Sequence, residues 1–454
     1  MELTQWLLAM KFELAITLIL FLLLFLKIDG RASNVSILRT TNLLLLLNLL
    51  LGFFTNETQE VFGGMFRTSP LLAIEKSVLN LAVLLISLFS YDWLKKHQHL
   101  PEFFMLLISS LLGFFFMLSS GNLLMFYLGL ELSTIPLAAL CNFDLDKKVS
   151  SESAFKMIMS SAFSSAILLF GISLVYGSTG TVQFSEVPMM LNGSQIQVLA
   201  FVLLFTGFAF KLSIVPFHLW TADVYEGAPV AVTAYLSVVS KGAMAFVFIT
   251  TLYAVFGALA MTWYYMLAVS AAITITVGNL FAIRQQNLKR FFAFSSIAQV
   301  GYLLIAIASA SQIGVASVIY FILIYVFTNL AAFAIISVIS SQTGKETVND
   351  YRGLYASNPT LALVMSLALF SLAGIPPTAG FFGKLFLLTS GAQVGTWWLI
   401  IIASLNLIVS LYYYLRIVRA MFVDENSEPI EKISLTTTVL ASVLICVAGI
   451  LVLG

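Results

Sequence analysis

Apolar runs of about 20 residues recur along the whole chain, and they constrain the fold more than any other feature. As a helix, each run is long enough to cross roughly 30 Å of hydrocarbon. Charged residues make up 9% of the sequence, against roughly 25% in a soluble domain. We predict an all-α polytopic membrane protein with no separate soluble domain. Fourteen spans are predicted, at 6–26, 41–54, 71–91, 103–119, 122–140, 152–177, 196–217, 229–256, 262–283, 293–309, 314–340, 360–388, 396–415 and 434–453.

The basic residues indicate how the predicted spans are oriented. One set of alternate loops holds nearly all loop lysines and arginines, and the other set holds only Arg67. The first set comprises Lys27, Arg31, Arg39, Lys95, Lys96, Lys147, Lys148, Arg284, Lys289, Arg290, Lys345, Arg352, Arg416, Arg419 and Lys432. Because basic loops stay in the cytoplasm, we expect both termini on the non-cytoplasmic side. These charges are interpreted as topology signals, not as a nucleic-acid site.

A few lysines lie inside the spans: Lys11, Lys76, Lys156, Lys211, Lys241 and Lys384. Lys11 and Lys76 lie near the outer ends of spans 1 and 3 beside Glu13 and Glu75, and we expect their side chains to reach water. Lys156 lies about one turn inside span 6, and two interpretations stay open: its side chain reaches the membrane surface, or it has a functional role. The other three lie deep in spans 7, 8 and 12. An ionisable group at that depth is costly and is functional by default.

One acid, Glu131, lies near the centre of span 5. A buried carboxylate takes up a proton or finds a partner, and the pattern favours Lys211. The glutamate would then control whether the lysine keeps its proton. A purely structural ion pair is the alternative. Beyond His218, Asp223 and Glu226 follow in the sequence DVYEGAP.

Prolines predict breaks in two of the spans that carry deep lysines. Pro216 follows Lys211 by five residues, and its ring must kink or unwind span 7. In span 12, Pro376 and Pro377 leave the carbonyls of Leu372 and Ala373 without helical donors. Broken helices with buried ionisable groups are a common way to build an ion path through a bilayer.

The two breaks suggest an internal repeat. Spans 4–8 and spans 9–13 each contain a proline break and deep lysines, and each group has five spans. Five is odd, so the second group must lie inverted in the membrane. We therefore predict four segments: residues 1–100 with three spans, the repeats at 101–257 and 258–423, and residues 424–454 with the last span.

Other functional classes find little support in the sequence. Cys141 and Cys446 match no disulfide or metal spacing, and the chain has three histidines. It lacks a phosphate-cradling glycine loop and a flavin or nicotinamide fingerprint. Ser295, Ser296 and Gln299 place uncharged polar groups in span 10, where they either pack helices or hold water.

Several stretches resemble the antiporter-like membrane subunits of the proton-pumping NADH:quinone oxidoreductase, respiratory complex I. They are LGLEL around Glu131, FKLSIVPFHLWTADVYEGAP at 210–229, GNLFAIRQQNLKRFFAFSSIAQVGY at 278–302, YRGL at 351–354 and SLAGIPPTAGFFGK at 371–384. The resemblance covers nearly the whole chain. It implies fourteen helices with two inverted five-helix repeats, and a central hydrophilic axis that carries protons.

The resemblance also assigns roles to residues. Glu131, Lys211, Lys241 and Lys384 match residues of the family's proton path, and Lys156 lies where the family often has a lysine. Together with His218, which lies in the stretch of the first break, these are the residues expected to translocate protons. Relatives commonly have a histidine in helix 10, where this chain has Gln299 or its neighbours. Glutamine takes up no proton near neutral pH, so we expect a relay there to use water.

The same resemblance implies the setting of the chain. NADH, FMN, iron–sulfur clusters and quinone are expected in partner subunits, with no cofactor or metal bound by this chain. The expected partners are other membrane-arm subunits and the lipid bilayer of the bacterial cytoplasmic (inner) membrane, with no nucleic acid. Two alternatives remain: a subunit of a multi-subunit Na⁺/H⁺ antiporter or membrane-bound hydrogenase, and a structural subunit whose charges only form assembly ion pairs.

Overall fold

The computed structural model describes residues 2–54, 57–426 and 428–454, with the backbone alone for residues 2 and 3. It is mostly helical, at 79%. The helices of these residues are α1 Glu2–Ala9, α2 Lys11–Asp29, α3 Asn34–Leu50, α4 Pro70–Phe89, α5 Tyr91–Lys96, α6 Leu100–Leu118, α7 Leu123–Cys141, α8 Lys148–Thr179, α9 Val187–Met190, α10 Gln195–Leu212, α11 Leu219–Gly227, α12 Val230–Tyr235, α13 Lys241–Ala254, α14 Ala260–Ile283, α15 Leu288–Ala308, α16 Gln312–Thr343, α17 Leu354–Ser357, α18 Pro359–Ala373, α19 Ala379–Gln393, α20 Trp397–Phe422 and α21 Thr437–Val452. A π-helical turn, Leu236–Ser240, joins α12 to α13, and short 3₁₀ turns cover Leu51–Phe53 and Gly257–Leu259.

Helices long and apolar enough to cross a membrane follow one another along the chain. Within the described residues there are eleven: Asn34–Phe53, Pro70–Phe89, Leu100–Leu118, Leu123–Cys141, Lys148–Thr179, Gln195–Leu212, Val230–Ala254, Gly257–Ile283, Leu288–Ala308, Gln312–Thr343 and Trp397–Phe422. The spans predicted at 6–26, 360–388 and 434–453 overlap α2, the pair α18 and α19, and α21. The chain is therefore a multi-pass membrane protein.

A small antiparallel hairpin between residues 59 and 68 adds two short strands that the sequence did not predict to the mostly helical fold. Strand β1 is Gln59–Val61 and strand β2 is Phe66–Thr68. Gly63 and Gly64 have φ of 64° and 81°, and glycine adopts this left-handed backbone without a Cβ penalty. The hairpin is fixed to the end of α6, because the Arg67 backbone N–H donates to Ser119 O at 2.8 Å.

The chain forms two compact units, and the first comprises residues 1–84, 94–211 and 240–262. Within it, α6 and α7 pack at very short distance. A Cβ added at Gly113 would lie 2.4 Å from the backbone N of Ser133, and one at Gly129 would lie 2.6 Å from that of Met117. Small residues allow such close backbone approach where lipid gives no hydrophobic drive.

The second unit comprises residues 85–93, 212–239 and 263–454. Its central element is α16, which packs against α15, α18, α19 and α21. Side-chain caps fix where its long helices begin: Asn287 accepts from Arg290 N, and Ser311 accepts from Gly314 N. The core of this unit is therefore built around a helix whose start is set by its own sequence.

Both predicted proline breaks are present. Helix α10 ends at Leu212, five residues before the predicted end of span 7, and the Val215–Pro216 peptide bond is cis. Helix α18 ends at Ala373 and α19 begins at Ala379, with a cis bond between Pro376 and Pro377. Span 12 is thus two helices joined by an irregular segment.

Candidate functional site

The first deep lysine lies at the end of α10, one residue before the helix ends. Lys211 is 5% exposed, and its Nζ donates hydrogen bonds to Thr134 Oγ1 at 2.5 Å and to Ser161 Oγ at 2.9 Å. These hydroxyls belong to α7 and α8, so three helices of the first unit meet at the ammonium. Neutral acceptors therefore make the direct hydrogen bonds to this buried group.

Glu131 contributes to this cluster through its charge. It lies three residues before Thr134 on α7, and it is within electrostatic reach of Lys211. Its Oε1 is buried and accepts no hydrogen bond from the described residues. The predicted partnership is thus electrostatic, and sequence reasoning missed both hydroxyls. The three-residue spacing, which places Thr134 on the same helical face as Glu131, could have indicated one of them.

The irregular segment after α10 belongs to the second unit and is held by side-chain hydroxyls. Ser213 has φ of 64°, and its Oγ accepts from Thr221 Oγ1 at 2.7 Å. The Val215 backbone N–H donates to Thr274 Oγ1 at 3.1 Å. His218 is 8% exposed and precedes α11 as its N-cap residue. The structure therefore places the predicted histidine within the break.

Lys241, the second deep lysine, is the first residue of α13 and directly follows the π-helical turn. Its side chain is 4% exposed. A π-helical turn inserts one extra residue into the helix and occurs frequently at functional sites. The sequence pattern predicted the depth of this lysine but not the change in helix type beside it.

Lys384, on α19, lies beside the carbonyl groups that the second break releases. It is 3% exposed, and its Nζ donates to Leu372 O at 2.6 Å and to Ala373 O at 3.3 Å. These are the two carbonyls expected to lose their helical donors. The aromatic ring of Tyr302 lies 5.2 Å from the ammonium, measured to the ring centroid, a distance typical of a cation–π contact.

A small cavity adjoins Lys384. Its volume is about 10 Å³, close to the least space that holds one water molecule, roughly 10–15 Å³. Gln299 on α15 lines it and donates through Nε2 to Leu372 O at 3.4 Å and to Tyr414 Oη at 3.3 Å. The Gln299 Oε1 is buried and accepts nothing from the residues described. The other lining residues are Phe321, Ile324, Tyr325, Thr328, Ser371, Leu372 and Gly380.

Lys156 stands apart from these buried groups. Its Nζ lies 2.6 Å from Glu152 Oε1, one helical turn earlier on α8, and its side chain is 37% exposed. The structure therefore places it in a partly exposed ion pair. Of the predicted site residues in the first unit, Glu131 and Lys211 come together with the two hydroxyls.

Ion pairs hold the DVYEGAP stretch, which sequence reasoning did not predict. Arg290 Nη1 lies 2.6 Å from Asp223 Oδ1 and 2.9 Å from Glu226 Oε2. Lys289 Nζ lies 3.1 Å from Glu346 Oε2. From the sequence alone, these two basic residues are interpreted only as topology signals. In the structure Arg290 also holds α11, and Lys289 holds the loop after α16. No spacing in the sequence connects residues 223 and 290.

The expectation that Lys76 reaches water is wrong. Its side chain is 1% exposed and pairs with Glu13, which is also 1% exposed. Lys11 is partly exposed, and its Nζ donates to Phe54 O at 3.1 Å. Helix α4 turns residue 76 toward α2 instead of toward the surface, and position along a span does not reveal this direction.

Among the residues the structure describes, no group of three or more His, Cys, Asp or Glu side chains is arranged to hold a metal ion. Both cysteines are buried. The features that could carry chemistry are thus buried lysines beside interrupted helices. Together with the fold, they define a polytopic membrane subunit of the transporter type.

Comparisons with known proteins agree with this class. Residues 120–410 match the family described as NADH:quinone oxidoreductase/Mrp antiporter, TM. NADH-quinone oxidoreductase subunit N of Phocaeicola vulgatus is 47% identical over 98% of this chain and 95% of that protein. A chain of respiratory complex I from Thermus thermophilus, solved with bound aureothin, has a TM-score of 0.82 at 27% identity and covers 96% of both chains.

The fold itself is shared more widely. A chain of the membrane-bound sulfane sulfur reductase, an archaeal respiratory membrane complex, has a TM-score of 0.86 at 22% identity, over 97% of this chain and 94% of that one. At that identity the likeness concerns the fold alone. The matched family and the extent of the 47% identity together show that the chain belongs to the subunit N family of NADH-quinone oxidoreductase.

Proposed function

We propose that this chain translocates protons in the membrane arm of NADH:quinone oxidoreductase, driven by electron transfer from NADH to quinone in other subunits. The observation that carries the proposal is the burial of Lys211, Lys241 and Lys384 at 5%, 4% and 3% exposure. Each lysine lies beside an interruption of regular helix. A buried ammonium gives up its proton more readily than one in water, because burial disfavours the charged form.

Glu131 and His218 would modulate the first part of this path. A charged Glu131 stabilises the proton on Lys211, so neutralising or moving the carboxylate favours release. His218, within the break after α10, is of the residue type that titrates nearest neutral pH. Lys156 is proposed at the edge of the path, since its pair with Glu152 is partly exposed.

Near Lys384, water would continue the relay. Gln299 carries no titratable proton, but it lines the cavity next to Lys384, and its buried Oε1 accepts no hydrogen bond from the described residues. A water molecule there has several polar neighbours, including Thr328 and Ser371, and buried waters typically make about three hydrogen bonds. We assign the proton transfer past Gln299 to such a water.

We also propose the finer fold: fourteen spans, two inverted repeats, the four segments predicted above, and both termini on the non-cytoplasmic side. Helices α8 and α16 support the repeat, because each has 32 residues and ends at a left-handed glycine. Each is followed by a four-residue helix, α9 or α17. An apolar helix broken by a cis-proline comes next in both cases.

The chain works as one subunit of an enzyme complex. Its redox cofactors, NADH, FMN, iron–sulfur clusters and quinone, belong to partner subunits. The relatives of highest identity reported above favour this setting over the Na⁺/H⁺ antiporter or the hydrogenase. A structural role is disfavoured because the proposed path contains three buried lysines and one deep acid, Glu131, so the charges do not balance as ion pairs.

The decisive experiment measures NADH-driven proton uptake into vesicles that contain the intact complex. Lys211→Ala and Lys384→Ala should each reduce uptake at least tenfold while the complex still assembles. Lys96→Ala, at an exposed position, serves as the control and should leave uptake unchanged. Normal pumping in both buried-lysine variants would refute the proposal. Uptake that needs Na⁺ but not NADH would favour the antiporter.

A further inference from the structure

A second group of buried ionisable side chains lies in the first unit, outside the proposed lysine path. Glu13 on α2 and Lys76 on α4 are each 1% exposed, and Glu75 is 3% exposed. Lys76 Nζ lies 2.5 Å from Glu13 Oε1. Ser119 Oγ, after the end of α6, lies 3.5 Å from the same oxygen. Nothing in the proposed function uses these groups.

Aromatic rings enclose the Lys76 ammonium. The ring centroids of Phe66, Phe12 and Phe115 lie 5.3, 5.7 and 5.9 Å from Nζ. Phe66 belongs to β2, so the hairpin covers the cluster from one side. Arg67, next on β2, directs its guanidinium to Ser120 O. These rings stabilise a cation and accept no proton.

The cluster holds more acid than base. Glu13 and Glu75 supply two carboxyl groups, and Lys76 supplies the one buried ammonium. Glu75 is within electrostatic reach of Lys76. Lys11 faces the cluster from α2, but it is partly exposed and its hydrogen bond goes to a backbone carbonyl. Water therefore screens its charge.

The carboxyl oxygens also lack donors. Oε2 of Glu13 and Oε2 of Glu75 are buried and accept no hydrogen bond from residues within the described ranges. A buried carboxylate oxygen without a donor is costly, and two carboxylates that share one counter-charge do not both stay ionised easily. Glu13 has the direct contact to the ammonium, so Glu75 is the carboxyl group that interacts with Lys76 only at longer range.

We propose that Glu13, Glu75 and Lys76 form a second proton-binding site, in which Glu75 binds one exchangeable proton beside the Glu13–Lys76 ion pair. On release, the O–H bond of Glu75 breaks and water accepts the proton, leaving a carboxylate that Lys76 can share. A purely structural role would need only Glu13 and Lys76. It would leave the burial of Glu75 unexplained.

Infrared spectroscopy of the intact complex tests this site directly. The wild type at neutral pH should have a carboxylic-acid carbonyl band that moves to lower frequency in D₂O. Glu75→Gln should remove one acid's share of that band. Glu60→Gln, an exposed acid on the hairpin, is the matched control and should remove none. An unchanged band in Glu75→Gln would overturn the proposal, as would a Glu75 band that never shifts in D₂O.

Two further variants strengthen the test. Lys76→Met removes the counter-charge of Glu13, so the acid band from this cluster should about double. A band of unchanged area would contradict the proposed charge balance. Glu75→Asp keeps a carboxyl group and should retain the acid band at a shifted frequency. This variant covers the case that Glu75→Gln does not assemble. Loss of the acid band in Glu75→Asp would count against the site. None of these readouts depends on whether Lys211 or Lys384 pumps.

Discussion

Thr134 Oγ1 lies 2.5 Å from Lys211 Nζ, on the same helix as Glu131, the acid that acts on this lysine. The hydroxyl also donates to Leu130 O at 2.7 Å, so its lone pairs point toward the ammonium. Glu131 and Thr134, the carboxyl and the hydroxyl partner of the lysine, therefore lie three residues apart on one face of α7. The hydroxyl contacts the ammonium directly, and the carboxylate interacts with it electrostatically.

Replacing Thr134 by Val should weaken the hold on protonated Lys211. A hydrogen bond to a charged group contributes about 1.5–3 kcal/mol, equivalent to about 10- to 160-fold in the population of the charged form. We expect proton uptake by the reconstituted complex to fall about tenfold. Thr134→Ser keeps the hydroxyl and should keep most of the uptake. Equal uptake in the Val and Ser variants would contradict a role for this hydrogen bond.

Gln299 is predicted to support proton transfer through a bound water molecule. Apolar and polar substitutions at this position should therefore have opposite effects on proton uptake. Gln299→Leu removes the polar amide of a residue that lines the cavity and should reduce proton uptake at least fivefold. Gln299→His restores a group that binds water or a proton and should retain uptake. The ratio of protons pumped to NADH oxidised is the measurement. Full pumping in Gln299→Leu would exclude the water relay.

Gly380 should not tolerate a larger side chain. An added Cβ would lie 1.8 Å from the backbone oxygen of Ser371, and overpacking of this kind costs about 1–3 kcal/mol. Gly380→Ala should lower both the thermal stability of the complex and proton uptake, because Ser371 adjoins the carbonyls that hold Lys384.

Gly177 supplies the matched control for that substitution. It lies in α8, and an added Cβ there meets nothing within 4 Å among the described residues. Gly177→Ala should be neutral or stabilise the helix by up to about 1 kcal/mol. If both alanine variants behave alike, the tight contact at Gly380 is not important.

Arg290 should matter through salt-sensitive ion pairs. Its side chain and those of Asp223 and Glu226 are about one-third exposed, and pairs of this kind contribute up to about 1 kcal/mol each. Arg290→Gln leaves two carboxylates close together and should lower the melting temperature of the complex by a few degrees at low salt. The difference should shrink at high salt.

Arg284→Gln, at an exposed position in the preceding loop, is the control for Arg290 and should not change the melting temperature. The double variant Asp223→Asn with Arg290→Gln should recover part of the loss, since it removes the repulsion. If the decrease in melting temperature caused by Arg290→Gln were the same at all salt concentrations, it would indicate a packing effect instead of ion pairs.

The breaks were predictable because proline acts locally. Pro376 and Pro377 identify which carbonyls lose their donors, and Lys384 binds those same two groups. The acceptors of Lys211 were not predictable in the same way, because Ser161 lies 50 residues away in sequence. Their meeting depends on how three helices pack.

Side-chain direction was the other source of error. Lys76 has the position of a residue near a span end, but rotation of α4 about its axis turns it inward. The hairpin between residues 59 and 68 was missed because its strands are only three residues long. Its Gly63–Gly64 pair was the available turn signal.

The two carbonyl acceptors of Lys384 have a consequence for its chemistry. An ammonium has three N–H bonds, and a neutral amine keeps two. The amine can therefore retain its contacts with both Leu372 and Ala373 after losing a proton, while its new lone pair occupies the third direction. In the proposed proton path, Lys384 can therefore give up a proton without losing either carbonyl contact, and the acceptor of that proton has to approach from the third direction.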